Sequence, residues 1–334
     1  MKADRHTKEL LAEFARGSVT AAARLMTIVE NGGEQAEIVM DGVFPKTKGA
    51  YRVGFTGPPG AGKSSLVYRL SRLFRNEGRE LGIIAVDPTS PFSGGALLGD
   101  RIRMQKLSDD PSVFVRSLAS RGSLGGISSC TDEVADILDA FGKELVLIET
   151  VGVGQSELEI AEKAHTVVVI LVPESGDGVQ AMKAGLMEIG DIFVMNKADH
   201  PDAIRAAEEI EEMLRMKDVP PGGWRPCVIL ASALEGTGIE EVAARIWEHR
   251  RYLEGCGMLE GKRRRVLFSR VRDAFMERME KRIWSDSSVR GIIDGRMEEV
   301  YAGRLSPYRL VRDLEGLVAN DICKGISRSR EVGS

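Results

Sequence analysis

One short run constrains the fold of this chain more than any other: Gly57-Pro58-Pro59-Gly60-Ala61-Gly62-Lys63-Ser64, followed by Ser65. It comes after the apolar segment 51–56 and before the helix-like segment 65–77, which is the strand–loop–helix context of a P-loop. The glycines let backbone N–H groups curl around a phosphate, Lys63 adds a positive charge, and the Ser64 hydroxyl can ligate Mg²⁺ where the helix begins. The run therefore predicts a nucleotide phosphate site.

Two apolar runs downstream each end in an acidic residue. Residues 82–86 are followed by Asp87, and residues 145–148 are followed by Glu149. Such runs are typical of strands that are buried on both faces of a parallel sheet. Ligands of these sheets gather at the carboxyl ends of the strands, so both acids are candidates for the magnesium site and for catalysis. Gly152 is expected to offer its backbone N–H to the terminal phosphate.

A second motif selects the base. The apolar run 192–195 leads into Asn196-Lys197-Ala198-Asp199. The Asp199 carboxylate can accept from N1–H and the 2-amino group of guanine, whereas adenine has neither donor there; the Lys197 stem can pack across the base, and Asn196 can brace the loop. A later apolar strand, 228–234, is predicted to carry the loop that faces guanine O6, formed by Ser232, Ala233 and Leu234. These residues predict GTP rather than ATP as the ligand.

The motifs leave open which group positions the attacking water. Ras-like GTPases have a water-orienting glutamine where this chain has Val153, so another side chain must take that role. Asp100 is either a helix N-cap or a catalytic acid. Asp177 and Lys183 are candidate charges near the nucleotide, with surface charges of no consequence as the alternative.

Strand and helix signals alternate from about residue 50 to 252, including a short strand predicted at 113–116. This alternation predicts an α/β fold with a doubly wound, mostly parallel sheet of the P-loop NTPase type. Helical spacing over 7–31 breaks near Gly17 and predicts two helices, with Ser18 or Thr20 capping the second, and residues 40–48 are interpreted as a link. The predicted domains are an N-terminal helical extension, 1–48, a GTPase domain, 49–256, and a C-terminal helical arm, 257–334.

Composition narrows the classes of partner. A net charge of −4 and a sequence pI near 5.8 provide no basic field, which argues against nucleic acid or an anionic membrane. The basic cluster 262–265 is only four residues long and is interpreted as a solvated helix start or as a contact for an acidic protein surface. The four cysteines form no C-x-x-C pair, and no apolar run reaches the ~18 residues of a membrane span, so we expect a cytoplasmic protein.

The chain resembles the MeaB/ArgK GTPases, which assist methylmalonyl-CoA mutase and related adenosylcobalamin-dependent acyl-CoA mutases. The motifs that carry the resemblance lie at 57–65, 85–90, 116–126, 149–157, 176–185 and 196–199. The resemblance implies a SIMIBI-class GTPase whose slow turnover is raised by the mutase. It also implies a role in gating delivery of adenosylcobalamin from an adenosyltransferase and in protecting the mutase, and a homodimer built partly by the C-terminal arm.

The resemblance further implies roles for individual residues. Lys63 and Ser64 would hold phosphate and Mg²⁺, and Asp87, Asp100 and Glu149 would belong to the magnesium and catalytic region. Lys183 would supply a positive charge to the transferring phosphoryl group.

Three other functions stay open at this point. One is a protein kinase-like activity in amino-acid transport, as in the kinase label attached to ArgK, although no acceptor site is evident. The second is nickel insertion, which would need cysteine or histidine clusters. The third is a dimeric scaffold that binds GTP without hydrolysing it. The sequence does not specify which acyl-CoA mutase is the partner.

Overall fold

The computed structural model describes residues 2–87, 107, 110–119, 130–150, 156–173 and 185–316. Its centre is one seven-stranded sheet with the strand order β3-β2-β4-β1-β5-β6-β7, in which every neighbouring pair is parallel. The strands are β1 (Tyr51–Thr56), β2 (Leu81–Asp87), β3 (Val113–Ala119), β4 (Leu145–Glu149), β5 (Thr166–Leu171), β6 (Ile192–Met195) and β7 (Val228–Leu230). The predicted α/β fold with a parallel sheet is confirmed.

Helices cover both faces of this sheet. Those that the structure bounds up to residue 255 are α1 (Lys2–Ala15), α2 (Val19–Asn31), α3 (Glu34–Val43), α4 (Lys63–Asn76), α5 (Thr131–Ala140), α6 (Ser156–Lys163), α7 (Ala203–Arg215) and α8 (Ile239–Gly255). Strand side chains alternate between two apolar layers, so Ile83 packs into the layer with α4 and α8, whereas Ile84 packs into the layer with α2, α5 and α6. Burial of side chains this size stabilises the fold by about 1.5–3 kcal/mol each.

The N-terminal helices mostly follow the prediction. The Ser18 hydroxyl caps α2 by accepting from the Ala21 N–H at 3.2 Å, and α2 ends before Gly32, which has φ +69°. The predicted link at 40–48 is wrong in part, because residues 40–43 are the last residues of a third helix, α3. Glycine disfavours a helix interior, but at Gly42 it lets the Leu11 side chain pack where a Cβ would stand, at 2.8 Å, and this packing outweighs the propensity.

Two other predicted bounds need correction. The last strand ends at Leu230 rather than 234, since residues 231–237 turn back and pair only through one antiparallel bridge between Ser232 and Thr237. The predicted strand 113–116 continues to Ala119, because it pairs with β2 along its whole length.

A buried polar chain lies at the amino edge of the sheet. The Tyr51 hydroxyl and Thr166 Oγ1 are 2.5 Å apart, and Thr166 Oγ1 is 2.8 Å from His249 Nδ1. His249 Nε2 lies 3.5 Å from the Asp191 carboxylate, which also accepts from the Val167 N–H at 2.8 Å. These groups join the first residues of β1 and β5 to α8.

Aromatic and basic groups enclose this polar chain. The Trp224 ring lies 4.5 Å from that of His249, centroid to centroid, and Lys262 Nζ is 3.8 Å from the Asp191 carboxylate. Burial, aided by the charges of Lys262 and Arg245, lowers the pKa of His249 to about 3. His249 is therefore neutral at neutral pH and acts as a hydrogen-bonding group of the core.

The chain divides into two compact units, Met1–Lys262 and Arg263–Ser334. The described part beyond α8 contains α9 (Met258–Ser285), α10 (Ser287–Tyr301) and a helix at 307–316. The Asp286 carboxylate caps α10 by accepting from the Ser288 N–H at 2.8 Å, and Arg296 pairs with Asp313 at 2.5 Å. No helix within the described residues is long and apolar enough to cross a membrane.

Candidate nucleotide site

The P-loop joins β1 to α4, and its glycines are required by its geometry. Gly57 has φ +137°, and a Cβ there would lie 2.0 Å from the carbonyl oxygen of Ile170. Gly62 has φ +86°, and its Cβ would lie 2.3 Å from Asn196 Nδ2. An L side chain is strained at both backbone conformations and has no room at either position. The loop therefore sits close against β5 and the predicted base-binding loop.

Lys63 begins α4 and is buried beneath the P-loop. Its ammonium donates to the carbonyl oxygens of Gly57 and Pro58 at 2.8 and 3.1 Å. These two bonds hold the side chain under the first residues of the loop, beside the positive end of the α4 dipole. This arrangement concentrates positive charge where a phosphate would bind.

Ser64 and Glu149 meet at the carboxyl edge of the sheet. The Ser64 hydroxyl donates to Glu149 Oε1 at 2.5 Å, and Glu149 ends β4, which pairs with β1 through Phe55 and with β2 through Ala85. Asp87 is the last residue of β2, so its backbone lies at this same edge; its side chain is outside the described part. The Glu149 carboxylate at the end of β4 thus lies beside the P-loop, in contact with Ser64.

Asn196 connects the P-loop to the predicted base-binding loop. Its Nδ2 donates to the Ala61 carbonyl oxygen at 2.7 Å, and its Oδ1 accepts from the Ala233 N–H at 3.0 Å. The Ser232 hydroxyl donates to the Asp199 carboxylate at 2.8 Å. Lys197 has φ +58°, a left-handed conformation that a lysine rarely adopts. Hydrogen bonds therefore join the P-loop to the predicted base-binding loop, although the two motifs are far apart in the sequence.

The sequence motifs missed Arg69, which supports the base-binding loop from α4. Its guanidinium donates to the carbonyl oxygens of Ala233 and Leu234 at 3.0 and 2.6 Å. No local signal could have identified it, because its partners lie more than 160 residues away. They also did not single out Glu157, a buried acid on α6. Burial raises the pKa of Glu157, and the charge of Lys63 offsets part of that rise.

Some predicted site residues lie outside the described residues. These are Asp100, Gly152, Asp177 and Lys183. Pro59, Gly60 and Ser65 lie within the described P-loop and at the start of α4. The structure thus brings together Lys63, Ser64, Glu149 and the 196–199 and 232–234 loops around one edge of the sheet.

Comparisons with known proteins agree on the family. The sequence model of a family described as methylmalonyl Co-A mutase-associated GTPase MeaB matches residues 22–288. A Pyrococcus abyssi protein named as a GTPase is 48% identical over 292 residues, which cover 87% of this chain and 86% of that protein. GTPase ArgK of Escherichia coli is 32% identical over 317 residues, covering 93% and 96%.

A mammalian relative and a solved structure extend the agreement. The Mus musculus protein named methylmalonic aciduria type A homolog, mitochondrial, is 32% identical over 325 residues, which cover 92% of this chain and 78% of that protein. A crystal structure of an LAO/AO transport system kinase matches with a TM-score of 0.70 at 26% identity, covering 94% of this chain and 97% of the other. These names confirm the predicted enzyme class, a GTPase. With its parallel sheet, its P-loop and the family match over most of its length, the chain belongs to the MeaB family of P-loop GTPases.

Proposed function

We propose that this GTPase binds GTP and Mg²⁺ at the carboxyl edge of its sheet and assists an adenosylcobalamin-dependent acyl-CoA mutase, methylmalonyl-CoA mutase foremost. The hydrogen bonds of Asn196 with Ala61 and Ala233 are the main support for nucleotide binding, because they join the phosphate-binding loop to the loops proposed to bind the base. The family description and the name of the mouse relative support the mutase as partner. In this proposal, GTP hydrolysis gates delivery of the cofactor from an adenosyltransferase and protects the mutase.

The phosphates of GTP would lie over residues 57–65. The backbone N–H groups of the loop and the start of α4 favour an anion, and the Lys63 ammonium lies buried beneath them. Catalysis of phosphoryl transfer depends mainly on such positioned charge, because the transferring group gains little covalent help from the protein.

The residues beside the P-loop fit Mg²⁺. Ser64 Oγ and Glu149 Oε1 are hard oxygen donors 2.5 Å apart, and Mg²⁺ binds oxygen and keeps nucleotide phosphates among its ligands. We assign Ser64, Glu149 and Asp87 to this ion, which would neutralise charge on the β- and γ-phosphates.

The base would lie against the 196–199 loop. The Asp199 carboxylate is oriented by the Ser232 hydroxyl and would accept from guanine N1–H and the 2-amino group. Lys197 would cover the ring, and the loop at 232–234 would face O6. Arg69 stabilises that loop through two carbonyl oxygens.

The remaining catalytic assignments follow from the resemblance. Asp100 would act in the catalytic region, Gly152 would donate its N–H to the γ-phosphate, and Lys183 would bring a positive charge to it. If Lys183→Ala left mutase-stimulated hydrolysis unchanged, the role of this lysine would be wrong.

The first experiment measures phosphate release from GTP with and without purified methylmalonyl-CoA mutase, and uses ATP as the control. We expect turnover of GTP alone, raised by the mutase. GTP turnover that is indifferent to this mutase would contradict the proposed partner and leave the GTPase class intact.

A second experiment tests the base. ITP lacks the 2-amino group, so the wild-type protein should prefer GTP over ITP by about tenfold or more, the worth of one good charged hydrogen bond. Asp199→Ala should abolish that preference, whereas Asp202→Ala, an exposed acid three residues later, should preserve it. A preference that survives Asp199→Ala would contradict the assignment.

We also propose that the C-terminal arm forms a homodimer. Phe268, Val271 and Phe275 follow helical spacing on one face of α9 and are 71%, 70% and 58% exposed. A second copy of the chain would cover this apolar face. Light scattering should give a dimer mass for the wild-type protein and a monomer mass for Phe268→Glu/Phe275→Glu, while Asp273→Lys on the opposite face should remain dimeric.

A further inference from the structure

Glu157 is a buried acid that the nucleotide assignment leaves unexplained. It lies in the first turn of α6 with 2% of its surface exposed. Among the residues that the structure describes, its Oε1 atom has no hydrogen-bond partner. A buried carboxylate oxygen without a donor is costly, and native proteins retain few such groups. Hydrogen bonds within the described residues therefore do not explain why an acid is buried here.

The packing of α6 places Glu157 beside the P-loop. The helix returns the chain from the end of β4 to the start of β5, so it runs antiparallel to β1. Ile160 and Ala164 pack over Gly54, where a Cβ would lie 2.3 and 3.0 Å from their side chains. Glu157 precedes Ile160 by one turn, about 4.5 Å along the axis. Because a strand rises about 3.3 Å per residue, Glu157 lies near the end of β1, where the P-loop begins.

The positive charge that acts on Glu157 there is the ammonium of Lys63. Lys63 Nζ donates to the carbonyl oxygen of Gly57, the residue that follows β1. Burial raises the pKa of Glu157, and among the residues that the structure describes the positive charge of Lys63 opposes that shift. The acid and the lysine therefore act on each other across the first residue of the loop.

We propose that Glu157 is a positioning residue for Lys63. Its carboxylate attracts the Lys63 ammonium beneath the loop and so lowers the affinity of the site for the phosphates of GTP. This inference rests on the phosphate-binding role proposed for Lys63. A carboxylate near an anion site weakens anion binding by direct repulsion and by competing for the shared cation. GTP must draw Lys63 toward its phosphates against that competition.

The effect belongs to binding rather than to chemistry. Ground state and transition state both carry the phosphate charges that Lys63 binds, so removing the competing charge should strengthen both alike. Such uniform strengthening lowers KM and leaves kcat unchanged. A merely structural role for Glu157 would not produce this division between KM and kcat.

The test compares two substitutions with a control on the same helix. Glu157→Gln keeps the shape and removes the charge, Glu157→Asp keeps the charge and shortens the side chain, and Glu162→Gln removes an exposed charge from α6. Equilibrium titration with a fluorescent GTP analogue gives Kd, steady-state phosphate release gives KM and kcat, and a thermal melt reports folding.

We expect Glu157→Gln to bind GTP about tenfold more tightly, with KM lowered in parallel and kcat within about twofold of wild type. Glu157→Asp and Glu162→Gln should bind as the wild-type protein does. Unchanged or weaker binding by Glu157→Gln, loss of its fold, or a larger effect from Glu157→Asp would each overturn the proposal.

Lys63→Ala separates this inference from the function on which it rests. If Lys63→Ala loses GTP binding while Glu157→Gln equals wild type, the inference fails and the phosphate role of Lys63 stands. If Lys63→Ala binds GTP as tightly as wild type, the phosphate role fails and the inference fails with it.

Discussion

At the carboxyl edge of the sheet, two side chains hold the backbone of loops that are distant in sequence, whereas at the amino edge a tyrosine, a threonine and a histidine bond to one another. Asn196 and Arg69 hold the loop carbonyl and N–H groups of residues far away in the chain. Tyr51, Thr166 and His249 instead form a closed chain beneath the ring of Trp224.

The difference lies in what each edge has left to bind. A loop whose backbone is held by side chains keeps its shape while it presents N–H groups to a ligand. The carboxyl edge is therefore suited to binding a ligand. At the amino edge the polar atoms are satisfied internally and covered by aromatic rings, so that edge contributes stability and specificity of packing. Substitutions should accordingly change nucleotide chemistry at one edge and folding at the other.

The largest expected effect is at Lys63. Lys63→Ala removes the buried cation from the phosphate site, so kcat/KM for GTP should fall by at least about 100-fold, the worth of about 3 kcal/mol of charge-assisted hydrogen bonding to the phosphates. Stability should fall by only about 1–3 kcal/mol, because two carbonyl oxygens lose their donor. Phosphate release and a urea melt measure both quantities, and the exposed Lys46→Ala serves as the control. Turnover retained within tenfold would contradict the function given to this edge.

Gly62→Ala should have the next largest effect, because it forces the two loops of the carboxyl edge apart. Its left-handed backbone costs an alanine about 1–2 kcal/mol, and the Cβ meets Asn196 Nδ2 at 2.3 Å. We expect GTP affinity to fall by about tenfold or more. Gly60→Ala is the matched control, since Gly60 has φ +74° with nothing within 4 Å of its Cβ. Equal losses in the two variants would show that the Asn196 contact does not matter.

The amino edge should respond to pH instead of to nucleotide. Folded protein keeps His249 neutral with a pKa of about 3, whereas in the unfolded chain it takes up a proton near pH 6.5. The unfolded state binds more protons in that window, so stability falls as pH drops from about 6.5, by up to about 1.4 kcal/mol per unit from this residue.

His249→Gln should remove that contribution and flatten the acid side of the stability curve, measured by urea melts from pH 7 to 4. GTP turnover at neutral pH should stay within about twofold. If the stability of His249→Gln fell as steeply with decreasing pH as that of the wild-type protein, this account of the amino edge would be wrong.

Tyr51→Phe should have the smallest effect. It removes the hydroxyl that meets Thr166 at 2.5 Å, while Thr166 keeps its bond to His249. The expected loss is about 1 kcal/mol, that of one buried hydrogen bond whose partner stays satisfied. A urea melt measures it, and a loss of GTP affinity in this variant would break the separation between the two edges.

Local patterns in the sequence predicted much of the fold and the site. Glycines at 57, 60 and 62 encode backbone conformations that only glycine adopts readily, and apolar runs that end in Glu149 or Asn196 mark the strand ends where ligands bind. The third N-terminal helix escaped prediction because the propensity of Gly42 suggested a link, and packing against Leu11 overrode it.

What the sequence by itself determined is therefore the local chemistry: a phosphate loop, a guanine-reading tetrad and acids at strand ends, since each depends on neighbouring residues. Only the tertiary structure decided which of these groups touch. The bond from Asn196 to Ala61 spans 135 residues, and the bond from Arg69 to Ala233 spans 164. Such contacts depend on the order of strands in the sheet, β4-β1-β5-β6, which hydrophobic periodicity does not encode. The same order brings α6 across Gly54.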